Sequence, residues 1–350
     1  MHLPPEWWPQ SAVMLTWPHA AGDWGTSLSQ VEANFVEIAA QIALRQALLI
    51  SARDEDAASA IHAQLAAAHV NLEQVTIAVA PSNDIWVRDH GPLTVLNDEA
   101  GHGKARLLNF NFNGWGGKYP AGLDNALTDT LHQQGCFGST PKQDIALVVE
   151  GGAIEVNGAG TLLTTADCLD LTTRNPGIDK HTLSEKLGAL LGCQQVHWLS
   201  HGQLEGDDTD GHIDTLARFT GANTIVYQAC ENPADTHYAA LQAMAEELKA
   251  LRNLDGQPYQ LHALPMPSAI YNAHGQRLPA SYANFLIINA AVLMPGYADP
   301  ADPLAAQILA DCFPDREIVT IDCRALVEQF GSLHCATMQL PQAVTVQSPS

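Results

Sequence analysis

Short strand-like runs alternate with amphipathic helical stretches from one end of this 350-residue chain to the other, and its most reactive side chains sit where those runs end. Residues 12–16, 47–51, 75–79, 147–149, 161–164, 224–227, 285–293 and 318–321 read as strands. Helical periodicity covers 27–44, 55–68, 184–191, 234–250, 303–312 and 324–330, the last ended by Gly331. In the first of these, Val31, Phe35, Ile38, Ala39 and Ile42 fall on one face. Alternation of this kind suits a doubly wound parallel sheet, with ligands at the carboxyl ends of its strands. The usual accompaniment is missing: neither Gly-x-Gly-x-x-Gly nor a Walker-type Gly-Lys-Ser/Thr occurs, so nucleotide binding has no support. The candidate reactive groups near 89, 150, 212 and 335 instead suit radial repetition about a central site, in which each unit contributes one group.

Charge narrows the ligand. With 16 Lys and Arg against 38 Asp and Glu the net charge is −22. Nucleic-acid binders need clustered basic residues to displace counterions, and none cluster here. An acidic cleft would attract a cation and speed its encounter, although acidity also serves solubility alone. With 46% hydrophobic residues and no Pro/Gly/Ser-rich linker, residues 1–350 read as one domain with a substantial core. Seven widely spaced cysteines without a Cys-x-x-Cys pair suit a reducing, cytoplasmic location and argue against a structural zinc site. The first ten residues lack a signal-peptide pattern. The most apolar run, 283–294, is interrupted by Asn284 and Asn289 and is too short to span a bilayer.

Four segments carry chemistry. Trp86-Val87-Arg88-Asp89-His90-Gly91-Pro92 supplies a carboxylate, Glu150-Gly151-Gly152 a second at the end of an apolar run, and Gly211-His212-Ile213-Asp214 an imidazole with a third. Gly331-Ser332-Leu333-His334-Cys335 ends in a thiol after a Gly-Ser pair that reads as a turn, where exposed functional residues gather. Read as a strand, the His212-x-Asp214 spacing points both side chains to one face. Each residue has a plainer reading: Cys335 as a small buried hydrophobe, His212 as a satisfied structural histidine, Asp89 as a partner of Arg88 or a turn cap, and Glu150 as a cap. Together, a thiol, an imidazole and carboxylates are what attack on a guanidinium carbon and expulsion of ammonia require.

At these residues the chain resembles the agmatine deiminases and the related bacterial peptidyl-arginine deiminases. The shared segments run in order from Pro5-Glu6-Trp7 and Leu15-Thr16-Trp17-Pro18-His19, through 83–92, Asn111-Phe112-Asn113-Gly114-Trp115-Gly116, Glu150-Gly151-Gly152 and Arg174-Asn175-Pro176, to 206–214 and His334-Cys335-Ala336-Thr337. The resemblance implies the pentein fold, five ββαβ-like units forming an α/β propeller around one active site, with no metal or organic cofactor and with a homodimeric assembly. It also implies roles. Asp89 and Asp214 would grip the planar guanidinium, Cys335 would attack its carbon, His212 would serve as acid and base, and Glu150 would hold His212. For agmatine the products would be N-carbamoylputrescine and ammonia. The chain departs from plant-type members at Gly331-Ser332-Leu333 and Met338 and in its acidic run 205–214.

Agmatine ends in an amine, so its pocket wants negative charge at the far end, which Asp84, Asp208 or Asp210 could supply. Trp86 or Trp115 could pack on the aliphatic chain or the cation. Peptidyl or free arginine is the alternative substrate. A free thiol is only a few per cent ionised at neutral pH, and Asp89 and Asp214 oppose its ionisation while a bound cation favours it. Cys335 is therefore expected to be mostly protonated until substrate arrives. Rival readings are an amidinotransferase, a cysteine protease, a metal hydrolase using His201, His212 and Asp214, and a non-catalytic polyamine-binding module.

Overall fold

The computed structural model of the chain describes residues 1–97, 104–169 and 172–349. Its strands are β1 (Gln10–Thr16), β2 (Ala47–Ala52), β3 (Val75–Val79), β4 (Leu93–Leu96), β5 (Ala105–Asn111), β6 (Lys142–Val148), β7 (Glu155–Val156) and β8 (Thr161–Thr165). They continue with β9 (Gln195–Leu199), β10 (Ala217–Gly221), β11 (Thr224–Gln228), β12 (Gln260–Leu264), β13 (Leu286–Ile288), β14 (Ala291–Gly296), β15 (Glu317–Asp322) and β16 (Thr337–Pro341). The helices are α1 (Leu28–Ala43), α2 (Glu55–Ala67), the single turns α3 (Val87–His90) and α4 (Gly114–Gly117), then α5 (Gly122–Gln133), α6 (Lys180–Leu191), α7 (Tyr238–Ala250), α8 (Asp302–Cys312) and α9 (Arg324–Val327).

These strands form five small sheets in place of one large one: β16-β1-β2-β3, β4-β5-β6, β7-β8-β9, β10-β11-β12 and β13-β14-β15. One arrangement recurs. An antiparallel pair such as β4–β5, β7–β8 or β10–β11 is followed by a helix, which returns the chain to a parallel partner, β6, β9 or β12. In the β16-β1-β2-β3 sheet the antiparallel partner of β1 is β16, more than 320 residues later in the chain, paired from Gln10 with Pro341 to Leu15 with Thr337. The α/β alternation was legible in the sequence, whereas the doubly wound sheet that it suggests is replaced by these separate sheets.

By contacts the chain divides into two units. One holds residues 6–151, 288–290 and 335–350, and so the β16-β1-β2-β3 and β4-β5-β6 sheets. The other holds 1–5, 152–287 and 291–334, with the three remaining sheets apart from the last residue of β13. In the first unit β2 is apolar apart from Ser51 and almost wholly buried, as a strand flanked by parallel neighbours should be. Helix α1 buries Val31, Phe35, Ile38, Ala39 and Ile42, the face expected from periodicity. In the second unit Asp179 caps α6 by accepting the N–H of Thr182, and Gly192 closes it in a left-handed conformation. Arg218 is fully buried, with its guanidinium on Glu155 and on the carbonyl of Phe285.

Four expectations need correcting. The strand read over 285–293 is two strands, because Ala290 adopts φ +61° between β13 and β14. The helix read from 234 starts at Tyr238, because the side chains of Asn232 and Asp235 take the N–H groups of Ala234 and His237 into local turns. The helix read over 324–330 ends at Val327, and the left-handed residue after it is Phe330 (φ +66°), not Gly331. Cys335 follows that turn but is buried, at 6% exposure.

Candidate active site

In the unit that contains Cys335, the main chain of Arg88 is the meeting point. Its N–H donates to the carbonyl of Cys335 (3.2 Å). Its carbonyl oxygen lies so close to Gly151 that a Cβ there would sit 2.1 Å from it, which explains why glycine follows Glu150. Asp89, Glu150 and Cys335 are all buried, and each is, or directly precedes, a residue in contact with or next to the main chain of Arg88. The Arg88 side chain faces Glu6 (3.7 Å) and the sulfur of Met338 (3.7 Å).

Asp89 lies in the one-turn helix α3 and accepts a hydrogen bond from Trp115 Nε1 (2.9 Å). Trp115 reaches it from a left-handed backbone (φ +54°, ψ +51°) between Gly114 and Gly116, both also at positive φ. That is an unfavourable place for a bulky residue. The indole is braced edge-on by Phe112 (4.9 Å) and Tyr119 (5.7 Å). Trp86 is buried against Trp24. Asp84 is half-buried, accepts the N–H of Ile85 (2.7 Å), and has its carboxyl pushed up to about 7, first by burial and then by the neighbouring Asp124 and Asp23.

In the other unit His212 is fully buried and precedes a 3-10 turn over Ile213–Thr215, so the strand reading of His212-x-Asp214 is overturned. The reason is local: Asp210 (φ +67°) and Gly211 (φ +86°) are left-handed and turn the chain just before His212. The loop is pinned from within. Thr209 Oγ1 accepts the N–H of His212 (3.1 Å), Thr165 donates to the carbonyl of Gly211 (2.6 Å), and Thr215 donates to that of His212 (2.9 Å). Asp210 pairs with the buried guanidinium of Arg174 (2.8 Å), while Asp208 is half-buried on the same loop.

Asp214 is fully buried and meets Nδ1 of His334 at 2.7 Å. Burial opposes its ionisation, but the hydrogen bond and charge of His334, with His212 and Arg218 behind it, hold the carboxyl below its usual range. Asn284 fixes His334 in turn, its Oδ1 accepting the His334 N–H (3.0 Å). His334 has a role that the sequence reading passed over, for which its place beside Cys335 was the available signal. Cys168 was also missed: its sulfur lies within 4.8 Å of a ring nitrogen of His212.

Of the ten residues singled out in the sequence, six therefore lie in the first unit, where Asp89, Trp115, Glu150 and Cys335 cluster around the Arg88 turn and Asp84 and Trp86 occupy the segment leading to it. The other four, Asp208, Asp210, His212 and Asp214, share one loop of the second unit. The arrangement offers a buried thiol and carboxylates on one hand and a buried imidazole and carboxylate on the other.

Known proteins fit the same picture. An agmatine deiminase of Pseudomonas syringae pv. syringae is 32% identical over 97% of this chain and 95% of its own. A solved structure named as a candidate arginine deiminase from Porphyromonas gingivalis is 46% identical, with a TM-score of 0.89 over 99% of each chain. A cysteine-to-serine variant of C. jejuni agmatine deiminase, solved with substrate bound, is 34% identical with a TM-score of 0.88 over 97% of this chain and 96% of that one. The family model described as Porphyromonas-type peptidyl-arginine deiminase matches residues 2–341, nearly the whole chain, and the protein belongs to that family.

Proposed function

We propose that the chain is an agmatine deiminase, hydrolysing agmatine to N-carbamoylputrescine and ammonia on the way to putrescine. The observation that carries this reading is full-length likeness to curated agmatine deiminases at about a third identity, together with a buried thiol whose main-chain carbonyl accepts the N–H of Arg88, the neighbour of the buried Asp89.

In this reading Asp89 and Asp214 hold the guanidinium by charge-assisted hydrogen bonds. The sulfur of Cys335 bonds to the central carbon, and the C–N bond breaks as ammonia leaves with a proton from His212. A water then gives its proton to His212 and adds to the amidino carbon, the C–S bond breaks, and the ureido product departs. Glu150 keeps His212 oriented. Trp86 and Trp115 flank the aliphatic chain, and the amine is met by Asp84, Asp208 or Asp210. Of these, Asp210 pairs with Arg174.

The five repeated units support a propeller built as one catalytic domain over 1–350. Seven cysteines without a disulfide suit a cytoplasmic enzyme, and no helix among the described residues is long and apolar enough to cross a membrane. A homodimer completes the proposal.

Arginine, free or peptidyl, is the second reading, favoured by the family description and by the 46% identity to the P. gingivalis structure. Incubating the protein separately with agmatine, arginine and an arginine peptide, and measuring ureido product and ammonia, decides between them. The expected result is a preference for agmatine of two orders of magnitude in kcat/KM, about 2.7 kcal/mol. Faster turnover of either arginine substrate would overturn it.

A further inference from the structure

The segment 83–90, which carries Asp84, Trp86 and Asp89, is tied to the start of α5 by reciprocal hydrogen bonds within one unit. Asp124 Oδ1 accepts the N–H groups of Asn83 (2.7 Å) and Asp84 (3.1 Å). Asn83 Oδ1 accepts those of Leu123 (2.8 Å) and Asp124 (3.4 Å). Two side chains thus satisfy four main-chain donors, two of which are the orphan donors that any helix start presents. One turn later Thr128 donates to the carbonyl of His90 (3.5 Å), so α5 holds both ends of the segment.

This tether is maintained against a desolvation cost. Asp124 is fully buried, and burial pushes its carboxyl up to about 7. Its second oxygen has no hydrogen-bond partner among the described residues, nor does either ring nitrogen of His90, whose Nε2 lies 3.9 Å from Oδ1. A buried, partly satisfied carboxyl is destabilising compared with an apolar residue of similar size. What it secures is direction: α3 is a single turn, too short to hold itself, so the aim of Asp89 depends on what grips the chain around it.

We propose that Asp124 is a positioning residue for the deimination: it touches no substrate, and with Asn83 it fixes the 83–86 strap so that Trp86 and Asp89 meet the guanidine in reactive geometry. This rests on the reading of Asp89 as a guanidinium ligand. Small misplacements of such a group are costly, about a hundredfold for 1 Å.

The experiment compares Asp124→Asn, which keeps an acceptor oxygen, with Asp124→Ala, Asn83→Ala and the double alanine variant. Steady-state kinetics with agmatine are read alongside amide hydrogen exchange over 83–90. Expected are a rise of about tenfold or more in KM for Asp124→Ala, loss of exchange protection confined to 83–90, retention of KM within about threefold by Asp124→Asn, and a double variant no worse than Asp124→Ala. Unchanged KM in Asp124→Ala, equal damage from Asn and Ala, or additive effects would each overturn the proposal. Should Asp124→Ala fail to fold, Asn83→Ala alone must raise KM and loosen 83–90. If the wild type turns over no guanidine at all, the assignment of function fails, and the exchange comparison still tests the tether separately.

Discussion

Nδ1 of His334 lies 2.7 Å from a carboxylate oxygen of Asp214, with both side chains withdrawn from solvent. A carboxylate offers only acceptors, so this nitrogen carries the proton. The residue before the nucleophile in sequence therefore serves the carboxylate proposed to bind the guanidinium. His334→Ala would strip Asp214 of its first stabilising partner in a buried setting. The expected result is a kcat/KM lower by roughly 10- to 100-fold and a stability loss of about 1–3 kcal/mol. His334→Asn, whose amide N–H can stand near the position of Nδ1, should recover part of both. An alanine variant with wild-type kinetics would remove His334 from the site.

That pairing also marks where sequence reading stops. The buried face of α1 could be read because Val31, Phe35, Ile38, Ala39 and Ile42 follow the helical period. The pairing of β1 with β16 could not, since nothing local in either strand announces a partner more than 320 residues away. The turn at His212 was hidden for a different reason. An Asp-Gly pair permits left-handed backbone but does not impose it, and only the bonds from Thr165, Thr209 and Thr215 select it. Radial repetition was suggested by the spacing of the reactive groups, but no residue repeat accompanies it, because the sheets share a connectivity and not a residue pattern. Motif resemblance named Cys335, His212 and Asp214, whereas Asp124 belongs to a supporting layer defined by contacts alone.

Trp115 offers a sharper test of Asp89. Its indole N–H is aimed at the carboxylate from a backbone conformation that few bulky residues adopt. Trp115→Phe keeps a ring to pack on Phe112 and Tyr119 while removing the donor. We expect KM for the guanidine substrate to rise about 10- to 100-fold, the loss of one hydrogen bond to a charged group, with the unfolding midpoint changed little. If KM holds steady while stability collapses, the indole serves packing only.

The resting state of Cys335 can be titrated directly. Its rate of alkylation by a neutral reagent should climb with pH along a curve that lies lower in pH when a non-reacting guanidine is bound, because the cation stabilises the thiolate. The empty protein should react slowly at pH 6. A thiol fully reactive there without ligand would mean that the ion is formed before substrate arrives. Cys335→Ser should abolish turnover and leave guanidine binding measurable.

The acid–base trio behind Asp89 predicts opposing pH effects on stability. Burial holds His90 down at about 4, against an ordinary 6.5, so the fold prefers the neutral ring. Its contribution is full above pH 6.5 and is lost as pH falls through 4. Asp84 and Asp124 are pushed the other way, up to about 7 from 3.8. Their contribution is full below 3.8 and is lost as pH rises through 7. Each group can bend the stability curve by at most about 1.4 kcal/mol per pH unit. Removing one charge should therefore change slope as well as height. In urea unfolding at pH 5 and pH 8, Asp124→Asn should gain on the wild type toward pH 8, because a neutral amide escapes the desolvation that the carboxylate meets there. His90→Phe should gain toward pH 5, where the wild type begins to bury a ring that would rather be charged. Stability curves that run parallel to the wild type for both variants would mean that neither group is held away from its ordinary proton affinity.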